Sequence, residues 1–123
     1  MEFKQKGLER VRDILGERGK LTIERLRKMS PDFAGYIVNH AYADLYARNG
    51  LSDKDRELIA VSSLITQGNT GLPLKSHIQG MLNVGWEKSE IIELIIFISA
   101  YVGFPSAVDA LITAQELFDS LEK

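Results

Sequence analysis

Two residues of this sequence, Glu57 and His77, have the side chains of a general acid–base pair. Histidine is the side chain whose unperturbed charge changes near neutral pH, so it is the first candidate for proton transfer. At about 100° per residue, His77 shares one arc of a predicted helix with the apolar residues Leu74, Met81 and Val84. The same rotation places Glu57 on the apolar side of the preceding predicted helix. Two consecutive helices therefore each turn one ionisable group toward apolar surroundings.

The short loop over residues 68–73 decides whether Glu57 and His77 meet. Antiparallel packing brings the start of one helix near the end of the other, so the pattern permits a pair. In a pair, Glu57 would orient the imidazole and stabilise its positive charge for acid–base catalysis. The alternative, which spacing alone favours, is a packed core or interface histidine and an ordinary first-turn carboxylate.

The remaining motifs argue against metals and bound cofactors. The chain has no cysteine, which excludes disulfides, thiolate metal sites and dithiol chemistry. The two histidines are far apart and form no metal-binding motif, and the glycine-containing loop lacks the lysine of a phosphate-binding loop. We expect neither a metal nor a cofactor. His40, next to Tyr36 and Ala41, is expected to be a packing residue, and Trp86 a packing anchor.

Composition and charge narrow the possible partners. Of the 123 residues, 45% are hydrophobic and 26% are charged, and the net charge is −2 without a basic block. Nucleic acid and an anionic membrane are therefore poor partners, whereas a small-molecule substrate is compatible. The N-terminus lacks the apolar region of a signal peptide, and the apolar run 91–98 is too short to span a bilayer. We expect a cytoplasmic protein.

Apolar residues recur at spacings of three and four along the whole chain, which predicts an all-α protein. Capping residues, glycines and prolines divide it into six or seven helices within one domain over residues 1–123. Thr22 and Ser30 are the predicted N-caps of the second and third helices. The predicted helices cover residues 2–15, 22–29, 30–50, 52–66, 74–84, 88–102 and 105–121.

The predicted helix over residues 88–102 is apolar almost all round. Such a helix is buried on every side. Either a second subunit covers it, or it is the central core helix of the monomer, and the pattern alone leaves both possibilities open.

Three runs resemble the carboxymuconolactone decarboxylase family: LSDKDRELIAV, KSHIQGMLNVGWEKSEIIELI and AYVGFPSAVDAL. The most specific motifs are H-x-x-x-x-x-N-x-G, which begins at His77, and Y-x-G-x-P, which begins at Tyr101. The resemblance covers about residues 42–118. It implies an alkylhydroperoxidase-like helical fold with a helical hairpin core, and a homo-oligomer that is a trimer or a hexamer built from trimers.

The resemblance also selects one branch of that family. Thr70 and Pro73 occupy the places where alkylhydroperoxidase-like members carry a C-x-x-C pair, so dithiol peroxidase activity is excluded. The other branch removes CO2 from 4-carboxymuconolactone, an intermediate of aromatic catabolism, without metal or organic cofactor. The resemblance therefore implies a decarboxylase, a carboxy-lyase, for a small lactone carboxylate. His77 would be its main acid–base group, and Glu57 matches the glutamate of the family.

A dianionic lactone needs cationic partners, and Lys75, Arg56 and Arg48 lie nearby in sequence. Arg56 projects away from the arc of Glu57, and Lys75 is the candidate for binding a substrate carboxylate. The alternative function is a non-catalytic or differently catalytic family member, serving as a small-molecule binding or protein-interaction subunit. Two positions depart from the family pattern. Phe97 stands where some members have a second histidine, and Glu87 replaces the typical threonine that opens the same helix.

Overall fold

Helices make up most of the backbone over residues 1–122, the part of the chain that a computed structural model describes. This range contains no strand, so the predicted all-α class is confirmed. Each helix in it is too short or too polar to cross a lipid bilayer. The chain divides into two compact units, Met1–Asp53 and Lys54–Lys123. The predicted single domain over residues 1–123 stays a prediction.

Helix α1 of the first unit (Gln5–Met29) bends sharply at Gly16, where φ is 67° and ψ is −152°. Glycine adopts this conformation without the steric penalty of a Cβ atom. The bend lets Phe3 pack against Arg27, whose guanidinium lies 4.7 Å from the ring centroid. The predicted break between the helices over residues 2–15 and 22–29 is therefore present, but it is confined to Gly16. The predicted cap at Thr22 is wrong, because its hydroxyl lies inside the helix and donates to a carbonyl one turn earlier, at 2.9 Å.

Helix α2 (Pro31–Tyr36) continues directly into a π-helical segment (Ile37–Leu45). Ser30 is the N-cap of α2, as predicted, and its hydroxyl accepts a 3.1 Å hydrogen bond from a first-turn backbone N–H. The π-helical segment stops before the predicted end at residues 49–50. Just past its end, the carbonyl of Tyr46 accepts a hydrogen bond from the side chain of Arg10 at 3.0 Å.

Four helices follow: α3 (Asp53–Thr66), α4 (Leu72–Asn83), α5 (Lys88–Val102) and α6 (Phe104–Leu121). Asp53 belongs to the first unit, and the remainder forms the second. Gly103 separates α5 from α6 with a φ of 86°, which favours glycine. Glu87 caps α5 in place of a threonine, because it exchanges side-chain and backbone hydrogen bonds with Glu90. These local signals explain why both predicted ends of α5 are correct.

The second unit has one apolar core to which all four helices contribute. Its buried members are Val61, Ile65, Leu74, Ile78, Met81, Ile91, Ile95, Ala107, Ala110, Ala114, Leu117 and Phe118.

Only one line of α5, through Ile91 and Ile95, is buried. Phe97 is 69% exposed and Tyr101 is 77% exposed. The possibility that the monomer encloses this helix on every side is therefore wrong, because neighbouring helices cover a single stripe. Exposed apolar side chains continue along one face of α6. Together we call these residues the α5–α6 stripes: Ile96, Phe97, Tyr101, Phe104, Val108, Leu111 and Ile112.

Candidate active site

Glu57 and His77 are in direct contact within the second unit. Oε1 of Glu57 and Nδ1 of His77 are 2.7 Å apart. The Glu57 side chain is fully buried, whereas 18% of the His77 side chain remains exposed. The structure thus brings together two residues that the sequence pattern only permitted to pair.

Local sequence accounts for the position of each partner. Val61 and Ile65 follow Glu57 at successive spacings of four, and all three side chains lie on the buried side of α3. His77 lies in the middle of α4. Between the two helices the chain turns within a few residues, and the backbone N–H of Asn69 donates to a carbonyl in the last turn of α3 at 2.9 Å. This tight turn reverses the chain so that the side chains of Glu57 and His77 meet.

The hydrogen bond to Glu57 determines how the imidazole can act. An ionised carboxylate only accepts hydrogen bonds, so Nδ1 of His77 carries the proton in this contact. The other ring nitrogen, Nε2, makes no hydrogen bond to any residue in the range 1–122. A buried carboxylate destabilises a protein unless it is paired, and His77 supplies that pairing. The arrangement therefore holds one ring nitrogen and leaves the other available to take or give a proton.

Lys75 and His40, the other polar residues considered in the sequence, have partners other than Glu57 and His77. The ammonium of Lys75 is 3.7 Å from the carboxylate of Glu116 on α6, and its side chain is 32% exposed. His40, in the first unit, is 70% exposed, with Nδ1 3.3 Å from Asp44. The expectation that His40 packs in the interior is wrong, because this side of the π-helical segment faces solvent.

Trp86 makes a polar contact that its sequence context did not predict. Its indole N–H donates to the backbone carbonyl of Lys54 in the first turn of α3, at 2.9 Å. The ammonium of Lys54 also lies over the indole ring, 4.2 Å from its centroid. A tryptophan beside Gly85 at a helix junction indicated an anchor, but no sequence signal identified its partner.

Within residues 1–122, no group of three or more His, Cys, Asp or Glu side chains is placed to hold a metal ion. The fold and the site define an all-helical protein whose second unit carries a buried carboxylate–imidazole pair. The chain belongs to the carboxymuconolactone decarboxylase family, whose model matches residues 31–116. The matched range contains both Glu57 and His77, and it confirms the resemblance found in the sequence motifs.

Curated relatives extend this similarity to nearly the whole chain. A 4-carboxymuconolactone decarboxylase from Acinetobacter baylyi is 32% identical over 97% of this chain and 88% of the relative. A nitrosuccinic acid decarboxylase from Metarhizium robertsii is 28% identical over 94% of this chain and 80% of the relative. An uncharacterised 15.0 kDa protein from Paracoccus denitrificans is 26% identical over 93% of this chain and 86% of the relative.

Proposed function

We propose that this chain is a cofactor-free decarboxylase in which His77 is the acid–base group and Glu57 holds it in place. One observation carries the proposal: a fully buried carboxylate binds Nδ1 of the imidazole at 2.7 Å, and Nε2 stays without a hydrogen bond within the described range. Burying a charge destabilises a protein, so a histidine that only fills space is better served by apolar neighbours. The pair is suited to proton transfer at Nε2.

The proposed substrate is a small acid that can itself accept the electron pair released when CO2 leaves. In a lactone carboxylate, the bond between carbon and the carboxylate breaks, and its electrons move into the conjugated lactone carbonyl. The products of this step are CO2 and a dienolate. His77, carrying a second proton on Nε2, transfers that proton to carbon and yields the enol-lactone, and water then restores the proton on Nε2. The reaction needs no external electron acceptor, so the proposal includes neither a metal nor a cofactor.

The names of two relatives support this substrate class. One is a decarboxylase of 4-carboxymuconolactone and the other a decarboxylase of nitrosuccinic acid. Each name denotes a carboxylic acid with an electron-accepting group, a lactone in the first and a nitro group in the second. We choose 4-carboxymuconolactone as the first test substrate, because its decarboxylase has the higher identity of these two.

Lys75 is included in the proposal as a carboxylate-binding residue. It lies on α4 with His77, and its side chain is about two-thirds buried while its ammonium faces Glu116 at 3.7 Å. Glu116 is 58% exposed, and a partly exposed ion pair contributes little to stability. A substrate carboxylate can therefore replace Glu116 as the partner of Lys75 at small energetic cost.

We also propose that the protein is a homo-oligomer, a trimer or a hexamer built from trimers. The α5–α6 stripes leave a series of large apolar side chains exposed on two helices of one unit. Extensive exposed apolar surface is typical of protein interfaces. A second copy of the chain is the proposed cover, in line with the assembly that the family resemblance implies.

The decisive experiment measures decarboxylation of 4-carboxymuconolactone by the protein after exhaustive chelation. His77→Ala is expected to lower turnover by about 10²-fold or more, the usual contribution of one acid–base group. Glu57→Gln is expected to lower turnover less, because an amide still orients the ring but does not hold its charge. The matched control is His40→Ala, which removes an exposed histidine and should leave turnover unchanged.

Each alternative predicts a different outcome. Wild-type turnover in folded His77→Ala would eliminate the catalytic role and leave the packing role. Loss of turnover on chelation, with a stoichiometric metal in the purified protein, would contradict the cofactor-free mechanism. A protein that turns over neither lactone nor nitro acids but associates through the α5–α6 stripes would be the non-catalytic interaction subunit. If His77→Ala fails to fold, His77→Gln carries the same test.

A further inference from the structure

Trp86 connects the two helices that carry the proposed acid–base pair. Its indole N–H donates to the carbonyl of Lys54 on α3 at 2.9 Å. Its backbone N–H donates to the carbonyl of Met81 on α4, also at 2.9 Å. The residue is therefore bonded to the last turns of α4 through its main chain and to the first turn of α3 through its side chain.

These two bonds lie one helical turn away from Glu57 and His77. Lys54 precedes Glu57 by three residues on α3, and Met81 follows His77 by four residues on α4. Residues three or four apart share one side of a helix. Antiparallel α3 and α4 are thus joined at two levels, by the carboxylate–imidazole bond and by Trp86 one turn away.

We infer that Trp86 is a positioning residue. Its indole N–H holds α3 in the axial position and rotation, relative to α4, that keep Glu57 bonded to His77. The inference rests on the proposed function, because positioning matters for catalysis only if the pair is used. A hydrogen bond weakens steeply with distance and angle, so a small rotation or slide of α3 weakens the 2.7 Å contact. A directional bond from Trp86 to a backbone carbonyl adds to core packing in opposing such a slide.

Two features of Trp86 separate positioning from simple packing. The side chain is only partly buried against the core of the second unit, so its ring fills less interior space than a fully buried residue would. The indole N–H is the only hydrogen-bond donor of the side chain. Trp86→Phe keeps an aromatic ring against Lys54 and the core but removes that donor. Lys54→Met removes the ammonium above the ring but keeps the backbone carbonyl that accepts the bond.

The test follows the Nδ1 proton of His77 by NMR in protein labelled with ¹⁵N-histidine. In the wild type this proton is expected to give a resolved, slowly exchanging signal, because it is bonded to a buried carboxylate. In Trp86→Phe we expect its exchange with water to accelerate by about five- to tenfold, the factor that one ordinary hydrogen bond represents. Lys54→Met should retain the slow exchange, and the exposed His40 provides an internal reference.

A matched control separates loss of positioning from loss of stability. Phe118 is a buried aromatic residue of the same unit that also lies beneath a lysine, with Lys88 5.4 Å from its ring centroid. Phe118→Leu is expected to lower the melting temperature but to leave the His77 signal unchanged. If Trp86→Phe also leaves the signal and its exchange rate unchanged, the inference is wrong, whatever the melting temperature. If that variant does not fold, the isosteric benzothiophene analogue of tryptophan removes the same N–H.

A kinetic experiment distinguishes failure of this inference from failure of the proposed function. With 4-carboxymuconolactone, Trp86→Phe is expected to lower kcat by about five- to tenfold while KM changes by less than about twofold. Faster exchange of the Nδ1 proton without any decarboxylase activity would support positioning and reject the proposed reaction. Full activity together with unchanged exchange would reject positioning and keep the reaction.

Discussion

Removing the imidazole of His77 is expected to destabilise this protein far more than removing an exposed histidine. Glu57 is fully buried, and its Oε1 lies 2.7 Å from Nδ1 of His77. Removing one partner of a buried charged contact costs about 3–5 kcal/mol, because the remaining carboxylate loses a hydrogen-bond donor that stabilises its charge. We expect His77→Ala to lower the free energy of unfolding by about 3 kcal/mol near neutral pH, since part of His77 still reaches solvent.

Neutralising the carboxylate should relieve much of this cost. Glu57→Gln alone keeps a hydrogen-bonding group beside the ring, so we expect a loss of only about 1 kcal/mol. The double variant Glu57→Gln/His77→Ala removes the buried carboxylate charge together with the imidazole. We therefore expect it to be more stable than His77→Ala, and to lose about 2 kcal/mol less than the sum of the two single variants.

The assay is equilibrium unfolding in urea of the wild type, both single variants and the double variant. His40 and Asp44 provide the matched control cycle, because they form an exposed histidine–carboxylate pair at 3.3 Å. Its coupling energy should stay below about 1 kcal/mol, as is typical of surface pairs. A loss below about 1 kcal/mol for His77→Ala, with a double variant no more stable than it, would refute the buried-charge explanation.

Two further substitutions test the packing of the first unit and the proposed assembly. Gly7→Ala is expected to lower the free energy of unfolding by about 1–2 kcal/mol, because the new Cβ would clash with the backbone carbonyl of Val38. Gly50→Ala is the control and should be nearly neutral, because a Cβ at position 50 has open space around it. Urea unfolding of both variants checks this, and equal effects would contradict it. Phe97→Glu places a charge in the α5–α6 stripes and is expected to reduce the mass of the protein measured by light scattering. Met29→Glu, at a position 88% exposed in the first unit, is the control and should leave that mass unchanged. A wild-type protein that remains monomeric at micromolar concentration would overturn the proposed oligomer.

The sequence by itself determined the helical class, most of the helix ends and the side of the helix on which Glu57 lies. Helix ends depend on neighbours in sequence, such as the proline after Ser30 and the glycine at position 103, and these act before any tertiary contact forms. The apolar period likewise predicts which side chains turn inward. Family motifs around His77 added the expected chemistry, and the family match confirmed membership.

Only the tertiary structure decided what each inward-turned or outward-turned side chain meets. Periodicity placed Glu57 on an apolar side, but the turn after α3 brought its carboxylate within 2.7 Å of His77. Because local pattern does not show which helices lie nearby, His40 was wrongly expected to be a packing residue, and the bond between Trp86 and Lys54 was not predicted. This limit of local pattern also explains why an evenly apolar helix is buried only along Ile91 and Ile95. The physical reason is that burial and hydrogen bonding depend on helices distant in sequence, whereas local pattern reports only the direction in which a side chain leaves its own helix.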